Sequence, residues 1–412
     1  MRRTGLPQPS GKLESASYAP QLGVLLRGLC GAAITTPDTA RPLDVNDVIA
    51  MDIGLVGLPC ADHDFFQDAV ITVAGTNNYN GTFRVEACTT PDMIAIAAPF
   101  LAETLTATAK VRRGRAPFLS GPAQDLGGGK VALPVHGGVH ALNPGETVSI
   151  SGTANYDGEF VLEDGTEGAV LVIDASFTDE TFDGSVVAAP QFYRHNFTLP
   201  KRQPTLCVEK FLDFEPGAAQ NAYRRYNFCK VNGLSFNFGG DDELKFSFDY
   251  AVGKETPAPA PIDAAPVVLP AVVMDNIETS LFIAGVRRGD VASGSFTNTF
   301  GIEPKAAVGD RGQYSRMPEG DPDCKATLSA FLETDELQKL ADNRSTIPFS
   351  LKICAATGEE LTFNYPEAGL DASGAAITGK KGLMQDFTVM AFVNAGETVL
   401  TAELVNRVEA YA

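Results

Sequence analysis

The sequence predicts an all-β protein built from sandwiches or barrels, on three observations. Glycine and proline are abundant, at 40 and 26 of 412 residues, and phenylalanine adds another 25. Apolar and polar residues alternate in many short runs, while stretches with helical period are few. With 44% apolar residues, the chain is long enough for two or three domains, each with its own core.

Charge narrows the function. The formal net charge of −19 repels nucleic-acid phosphates, which argues against a sequence reader or packaging protein. Residues 40–190 hold 20 acidic and 7 basic side chains, so the acidity is concentrated in the N-terminal half. Seven scattered cysteines without a CxxC suggest reduced, mostly buried thiols rather than a disulfide framework or zinc ribbon. The first twenty residues are polar, and the stretch LGVLLRGLCGAAI is cut by Arg27. Neither a signal peptide nor a membrane span is expected, and assembly in a cytoplasm is the simplest expectation.

Along the chain, residues 1–39 read as an N-terminal arm that leads into a larger domain. Residues 40–190 carry an internal repeat at an offset of 77: ITVAGTNNYNGTFRV (71–85) against VSISGTANYDGEFVL (148–162). Gly75, Thr76, Asn78, Tyr79, Gly81 and Phe83 match Gly152, Thr153, Asn155, Tyr156, Gly158 and Phe160, and Phe100 falls on Phe177. The repeats are expected at about 60–112 and 137–189. Each is read as a strand, a four-residue turn at Asn-Gly or Asp-Gly and a return strand, with the tyrosine packing across the turn.

Residues 191–412 read as the main domain. Leu234, Phe236 and Phe238 alternate with Ser235 and Asn237; GGDD follows at 239–242; then Leu244, Phe246, Phe248 and Tyr250 alternate with Lys245, Ser247 and Asp249. Successive strand side chains point to opposite faces, so this hairpin is expected to bury an aromatic face and expose a polar one. That polar face offers short side chains rather than convergent chemical groups, and reads as a wall. Prolines in TPAPAPIDAAP (256–266) are expected to break strand pairing. Further strands are expected at 272–286, 293–304 and 326–333, with a long polar loop at 304–323. One short helix is expected at 335–342, with Thr334 or Asp335 as its N-cap. A hairpin at 345–366 should set Phe349, Leu351 and Ile353 against Leu361, Phe363 and Tyr365, and GLMQDFTVMAFVN and ETVLTAELVN should close the sheet.

The segment 204–255 resembles the central part of phage tail tube proteins. The resemblance rests on the run CVEK (207–210), on Tyr223 and Tyr226 before CKVNGL (229–234), and on the turn-separated alternating strands. It continues through 272–395, ending in GKKGLMQDFTVMAFVNAG, and PQLGVLLRG (20–28) resembles the family's opening segment. The resemblance implies a tail-tube-type β-sandwich or barrel with a flanking helix, six copies per ring, and rings stacked into a tube whose inner barrel is shared by neighbours. The implied partners are further copies of the chain, tape-measure and tail-terminator or distal-tail proteins, and double-stranded DNA in transit without specific binding. The implied place is the virion tail. Ser235, Asn237, Lys245, Ser247 and Asp249 become candidate lumen-facing residues. Pro257, Pro259, Arg311, Tyr314 and Arg316 become candidate inter-ring contacts, and the repeat region is expected outside the tube. A distal-tail or baseplate tube-like protein and a cell-surface adhesive β-module are the competing readings.

No catalytic, cofactor or metal site is expected. His136 and His140 are four apart, but Gly-Gly-Val and Pro134 deny them a helix face. Asp62-His63-Asp64 reads as a solvated turn, as do Asp241, Asp242 and Glu243 at a hairpin tip. Arg288-Gly289-Asp290 matches an adhesion tripeptide by chance, as a turn after a strand. There is no GxSxG, HExxH or phosphate-cradling loop, and the absence of tryptophan weighs against a carbohydrate-cleaving sandwich.

Overall fold

The computed structural model describes residues 10–411 except 17, 52–53, 139, 213–221, 241–243, 267–268, 270, 275, 277–278, 307–313, 315, 333, 374–383 and 394–397. The chain is all-β, with five antiparallel sheets and two α-helices among the described residues.

The main domain is one curled sheet that folds over itself. Its front layer runs Ser10–Ala16, Lys245–Ala251, Tyr223–Gly239, Val291–Thr299, Asp323–Phe331 and Met384–Ala391. The 13-residue strand Glu360–Ala372 turns the corner: residues 368–372 pair with Met384–Ala391, while residues 360–364 pair with Thr401–Asn406. Beyond it the back layer continues through Ile347–Cys354 and Thr279–Ile283 on one side, and through Thr401–Asn406, Phe192–Thr198 and Ile34–Asp38 on the other. Between the layers lies an aromatic core. Phe236 stands 4.6 Å from Phe246, 4.9 Å from Phe296 and 5.5 Å from Phe363, and Phe296 stacks on Tyr365 at 5.1 Å. Rings at these separations add attraction beyond the area they bury.

The expected hairpin at 345–366 has the register that alternation implies, with Phe349 opposite Tyr365, Leu351 opposite Phe363 and Ile353 opposite Leu361, all buried. The helix expected near 335 spans Glu336–Asp342, but Asp335 makes no side-chain cap. A second helix, Ala19–Cys30, lies where an arm was expected. Leu22, Leu26 and Leu29 recur on its buried face, Pro20 sits in its first turn, Arg27 in its last, and Gly31 stops it at φ 84°. Gly23 admits a close approach, since a Cβ there would lie 1.9 Å from the Tyr411 ring. Gly23 and Gly28 masked this helix in the sequence, because glycine is unfavourable inside a helix and is offset here only by the Tyr411 and Leu206 side chains that pack on it.

The proline segment also departs from expectation. Lys254–Ala258 is a strand, with Pro257 opposite Arg224. Among the described residues it pairs with Tyr223–Gly239 alone, as an edge strand, where a missing N–H can face outward without breaking the ladder.

Each repeat is a two-layer unit of four plus three strands. The first joins Arg41–Pro42, Lys110–Arg113, Val70–Ala74 and Gly81–Arg84 in one sheet, with Ile49–Ala50, Leu55–Pro59 and Met93–Ala97 in the other. The second has the same order in Phe118–Pro122, Thr181–Pro190, Thr147–Ser151 and Gly158–Val161, with Gln124–Gly127, Lys130–Pro134 and Val170–Asp174. Each encloses its own apolar core.

The matched tyrosines do not pack across a turn. Tyr79 and Tyr156 are buried; the Tyr79 hydroxyl donates to the Leu101 carbonyl at 2.7 Å and accepts its N–H at 2.7 Å. Tyr156 does the same with Thr178, at 2.6 and 2.8 Å. The reversal comes earlier, at Gly75 (φ 77°) and Gly152 (φ 95°), and the Asn80 or Asp157 side chain takes the N–H and hydroxyl of Thr76 or Thr153. Glu103 and Glu180 then hold the loops through the N–H groups of Asn77 and Asn78, and of Ala154 and Asn155. Tyr79→Phe and Tyr156→Phe are each expected to cost about 1–3 kcal/mol, because each leaves a backbone N–H and carbonyl without a partner. Chemical denaturation of the two variants measures this, and a negligible loss in either would show that its tyrosine acts only by packing.

The chain leaves the main domain at Asp38 and returns at Phe192, and these two residues are direct partners on neighbouring strands. The paired units therefore hang from adjacent points of the back layer, the geometry that lets a domain accept an insertion.

Candidate functional site

The outer face of the front layer is the candidate site. The strand Tyr223–Gly239 pairs with Lys245–Ala251 so that Leu234 meets Phe248 and Ser235 meets Ser247. A bulge at Asn232 shifts the register between Val231 and Gly233. Leu234, Phe236, Phe238, Phe246, Phe248 and Tyr250 are all buried, while Asn237, Lys245 and Asp249 are exposed and Ser235 and Ser247 half-buried. The five sequence-nominated residues thus share one solvent-facing surface of the protomer.

Sequence reasoning missed the breadth of this surface. One cross-strand row runs Asn237, Ser295, Thr327, Thr388, and another runs Glu14, Ser247, Ser235, Thr297, Lys325, Met390. Ser295 and Thr327 hydroxyls meet at 2.6 Å. The signal was present as period-two polar positions in SGSFTNT, DCKATLSAF and MQDFTVM, but strand order alone brings them side by side. Among the described residues, three lysines (Lys12, Lys245, Lys325) and five acids (Glu14, Asp249, Asp323, Asp371, Asp386) lie on this face. Lys12 pairs with Glu14 and Lys325 with Asp323, each at 2.7 Å. Short polar groups with nearly balanced charge make a wetted wall without a strong field of either sign.

The opposite outer face, that of the back layer, is covered by the first repeat. Arg113 at the end of Lys110–Arg113 is buried; its Nε–H donates to Asp38 at 2.8 Å, and Nη1 pairs closely with Glu360. Arg194 pairs with Glu403 at 2.5 Å and closely with Asp64, and Arg41 reaches Asp64 at 2.9 Å. Lys352 lies 3.9 Å from the Phe66 ring centroid, and Arg287 pairs with Asp68 at 2.9 Å. The turn at Asp62-His63-Asp64 is therefore solvated only in part: Asp62 is exposed, whereas His63 is buried and Asp64 docks on the main domain. Burial would raise the Asp64 carboxyl, but Arg113, Arg194 and Arg41 outweigh it and hold the group below the usual carboxylate range. Burial raises Glu360, whose cation Arg113 is shared with Asp38 and Asp64. Gly114 and Gly358 meet beside this cluster, and a Cβ on Gly358 would lie 2.2 Å from the Gly114 Cα. Arg407 links the second repeat to the main domain, reaching Glu146 at 3.0 Å and Glu359 at 3.3 Å.

The remaining nominated residues scatter. Pro257, Pro259 and Arg316 are exposed, and Arg311 lies outside the described residues. Tyr314 is 6% exposed, and its N–H donates to the Gly253 carbonyl. Asp241, Asp242 and Glu243 also lie outside the described residues. His140 donates Nε2–H to the Val170 carbonyl at 3.2 Å and accepts the Leu142 N–H on Nδ1. Arg288 pairs with Glu336 at 2.8 Å. Among the described residues no group of three His, Cys, Asp or Glu side chains is placed to hold a metal, and no helix is long and apolar enough to cross a membrane.

The chain is thus a two-layer all-β body with one broad polar face and the first repeat docked on the opposite face. The family model for phage tail tube proteins matches residues 1–391, and the chain belongs to that family. The match runs through the twin repeats, which the sequence resemblance left outside. No curated protein matches the chain. Its role is structural, as a component of the virion tail assembled in the host, self-associating into the tube and contacting other tail proteins.

Proposed function

We propose that the chain forms rings, six copies in each, that stack into a conduit for double-stranded DNA, with the front-layer polar face lining the bore. One observation carries this reading: six adjacent strands present a continuous, exposed, nearly charge-balanced surface backed by an aromatic core. Such a lining lets DNA slide, because it lacks the cation stripes that would release counterions and hold the phosphates. Ser235, Asn237, Lys245, Ser247 and Asp249 then face the lumen, joined by Ser295, Thr297, Lys325, Thr327 and Thr388.

The twin repeats dock on the face opposite that wall, so they stand on the tube's exterior. Among the described residues the strand Ser10–Ala16 pairs on one side only, as an edge of the front layer, and a neighbouring subunit satisfies its outer backbone groups in the ring. Pro257, Pro259 and Arg316 contact the next ring. Tape-measure and tail-terminator or distal-tail proteins complete the assembly, and no cofactor takes part.

Negative-stain microscopy of the overexpressed protein tests the reading. Tubes are expected. Isolated rings would favour a distal-tail component, and a protein that stays monomeric at high concentration would overturn the proposal.

A further inference from the structure

The two repeats face one another across a cleft of about 510 Å³, lined by Thr72, Gly75, Lys110 and Arg112 of the first and Ser151 and Asp157 of the second, among others. Corresponding positions of both repeats meet there: Gly75 and Gly152, Asn80 and Asp157, Thr108 and Ser185, Lys110 and Val187. The outer faces of the two four-stranded sheets thus form opposing walls. A small apolar contact of Ala74, Ala116, Phe118, Val187 and Ala189 seals one side.

Several arginines of this acidic chain, Arg27, Arg115 and Arg316 among them, form no ion pair among the described residues, and Arg112 is the arginine that lines the cleft. Arg41, Arg113, Arg194, Arg225, Arg288 and Arg407 each reach a carboxylate within ion-pair distance. Arg112 is half-buried and forms no ion pair among the described residues; Glu159 acts on it only through its field. Lys110, two residues away on the same face of the strand, forms none either. The fold does not need these cations, because the second repeat builds the same strand with Val187 and Ala189. An unpaired guanidinium beside an ammonium in a recess is the arrangement that recognises an oxyanion.

The opposite wall sets what the oxyanion is attached to. The Ser151 hydroxyl has no partner among the described residues. Asp157 spends Oδ1 on the N–H and hydroxyl of Thr153, leaving Oδ2 to accept. A bare anion would meet Asp157 as a like charge, whereas a ligand hydroxyl would donate to it.

We propose that this cleft binds an anionic polyol of monosaccharide size, its carboxylate or phosphate on Arg112 and Lys110 and its hydroxyls on Asp157 and Ser151. The volume lies in the range of small-molecule sites. The assignment does not depend on the tube reading.

Calorimetric titration of the full chain with glucuronate, glucose 6-phosphate, inorganic phosphate and glucose tests it. At least one of the two anionic sugars is expected to bind, and which one does identifies the anion as carboxylate or phosphate. The double variant Arg112→Ala, Lys110→Val, which installs the second repeat's own residues, is expected to bind at least tenfold more weakly with an unchanged melting temperature. The inference is overturned if neither anionic sugar binds, if the double variant binds as the parent does, or if inorganic phosphate or glucose binds as tightly as the anionic sugars.

Discussion

Replacing Arg113 by methionine is expected to destabilise the folded chain by about 3–5 kcal/mol, the cost of leaving buried charges without their partner. The Arg113 side chain is 1% exposed and its carboxylate partners Asp38 and Glu360 are 9% and 5% exposed, so water cannot replace it. Lysine should not rescue the loss, because one ammonium cannot span two carboxylates held by Nε and Nη1. Glu360→Gln should cost less, since burial already disfavours its charge. The pH dependence has two opposed parts. The Asp64 contribution is complete above about pH 4 and is lost as the pH falls through its depressed folded value. Glu360, raised by burial, stabilises at low pH, and that contribution is lost as the pH rises from the unfolded to the folded value. Asp64→Asn should therefore flatten the acid limb of stability against pH. Denaturant titration followed by circular dichroism measures both effects, and a loss below 1 kcal/mol for Arg113→Met would show that the junction is held by its apolar and glycine contacts instead.

Lysines at Asn237 and Thr327 together are expected to slow DNA ejection by on the order of a hundredfold at low salt, with recovery as salt is raised. Both residues are exposed and lie in one cross-strand row, so two cations per subunit would repeat around every ring and along the tube. Each added cation that meets a phosphate releases condensed counterions, and the sum over rings turns a sliding surface into a binding one. The control Asn237→Gln, Thr327→Ser should eject at the parental rate. Ejection from particles carrying tubes of normal length provides the measurement. A parental rate in the lysine variant would place this face away from the bore.

The wall was legible at the hairpin because strand alternation is local: Phe236 and Asn237 must point to opposite sides wherever the strand lies. Its extension to Ser295, Thr327 and Thr388 was not, because neighbours in a sheet are set by topology. The same limit hid the junction. Asp64 in a short acidic motif looks solvated, and only the fold of the first repeat brings Arg41 and Arg113 to it, and only the docking of that repeat brings Arg194. The repeat was visible as matched residues, yet the tyrosine's role depended on a hydrogen bond to a residue 22 positions on, beyond any turn pattern. Helix Ala19–Cys30 was obscured by glycines whose cost is offset by Tyr411 and Leu206 packing against them.

The sequence by itself determined the all-β class, the two-faced hairpins, the internal duplication and the family likeness, because alternation, turn residues and composition act over a few neighbouring residues. Only the tertiary structure decided which polar strands join into one wall, which acids are buried in ion pairs, and that the repeats sit on the face opposite the wall. Those outcomes depend on contacts between residues tens to hundreds of positions apart, where burial changes the energy of a charge far more than any local pattern can indicate.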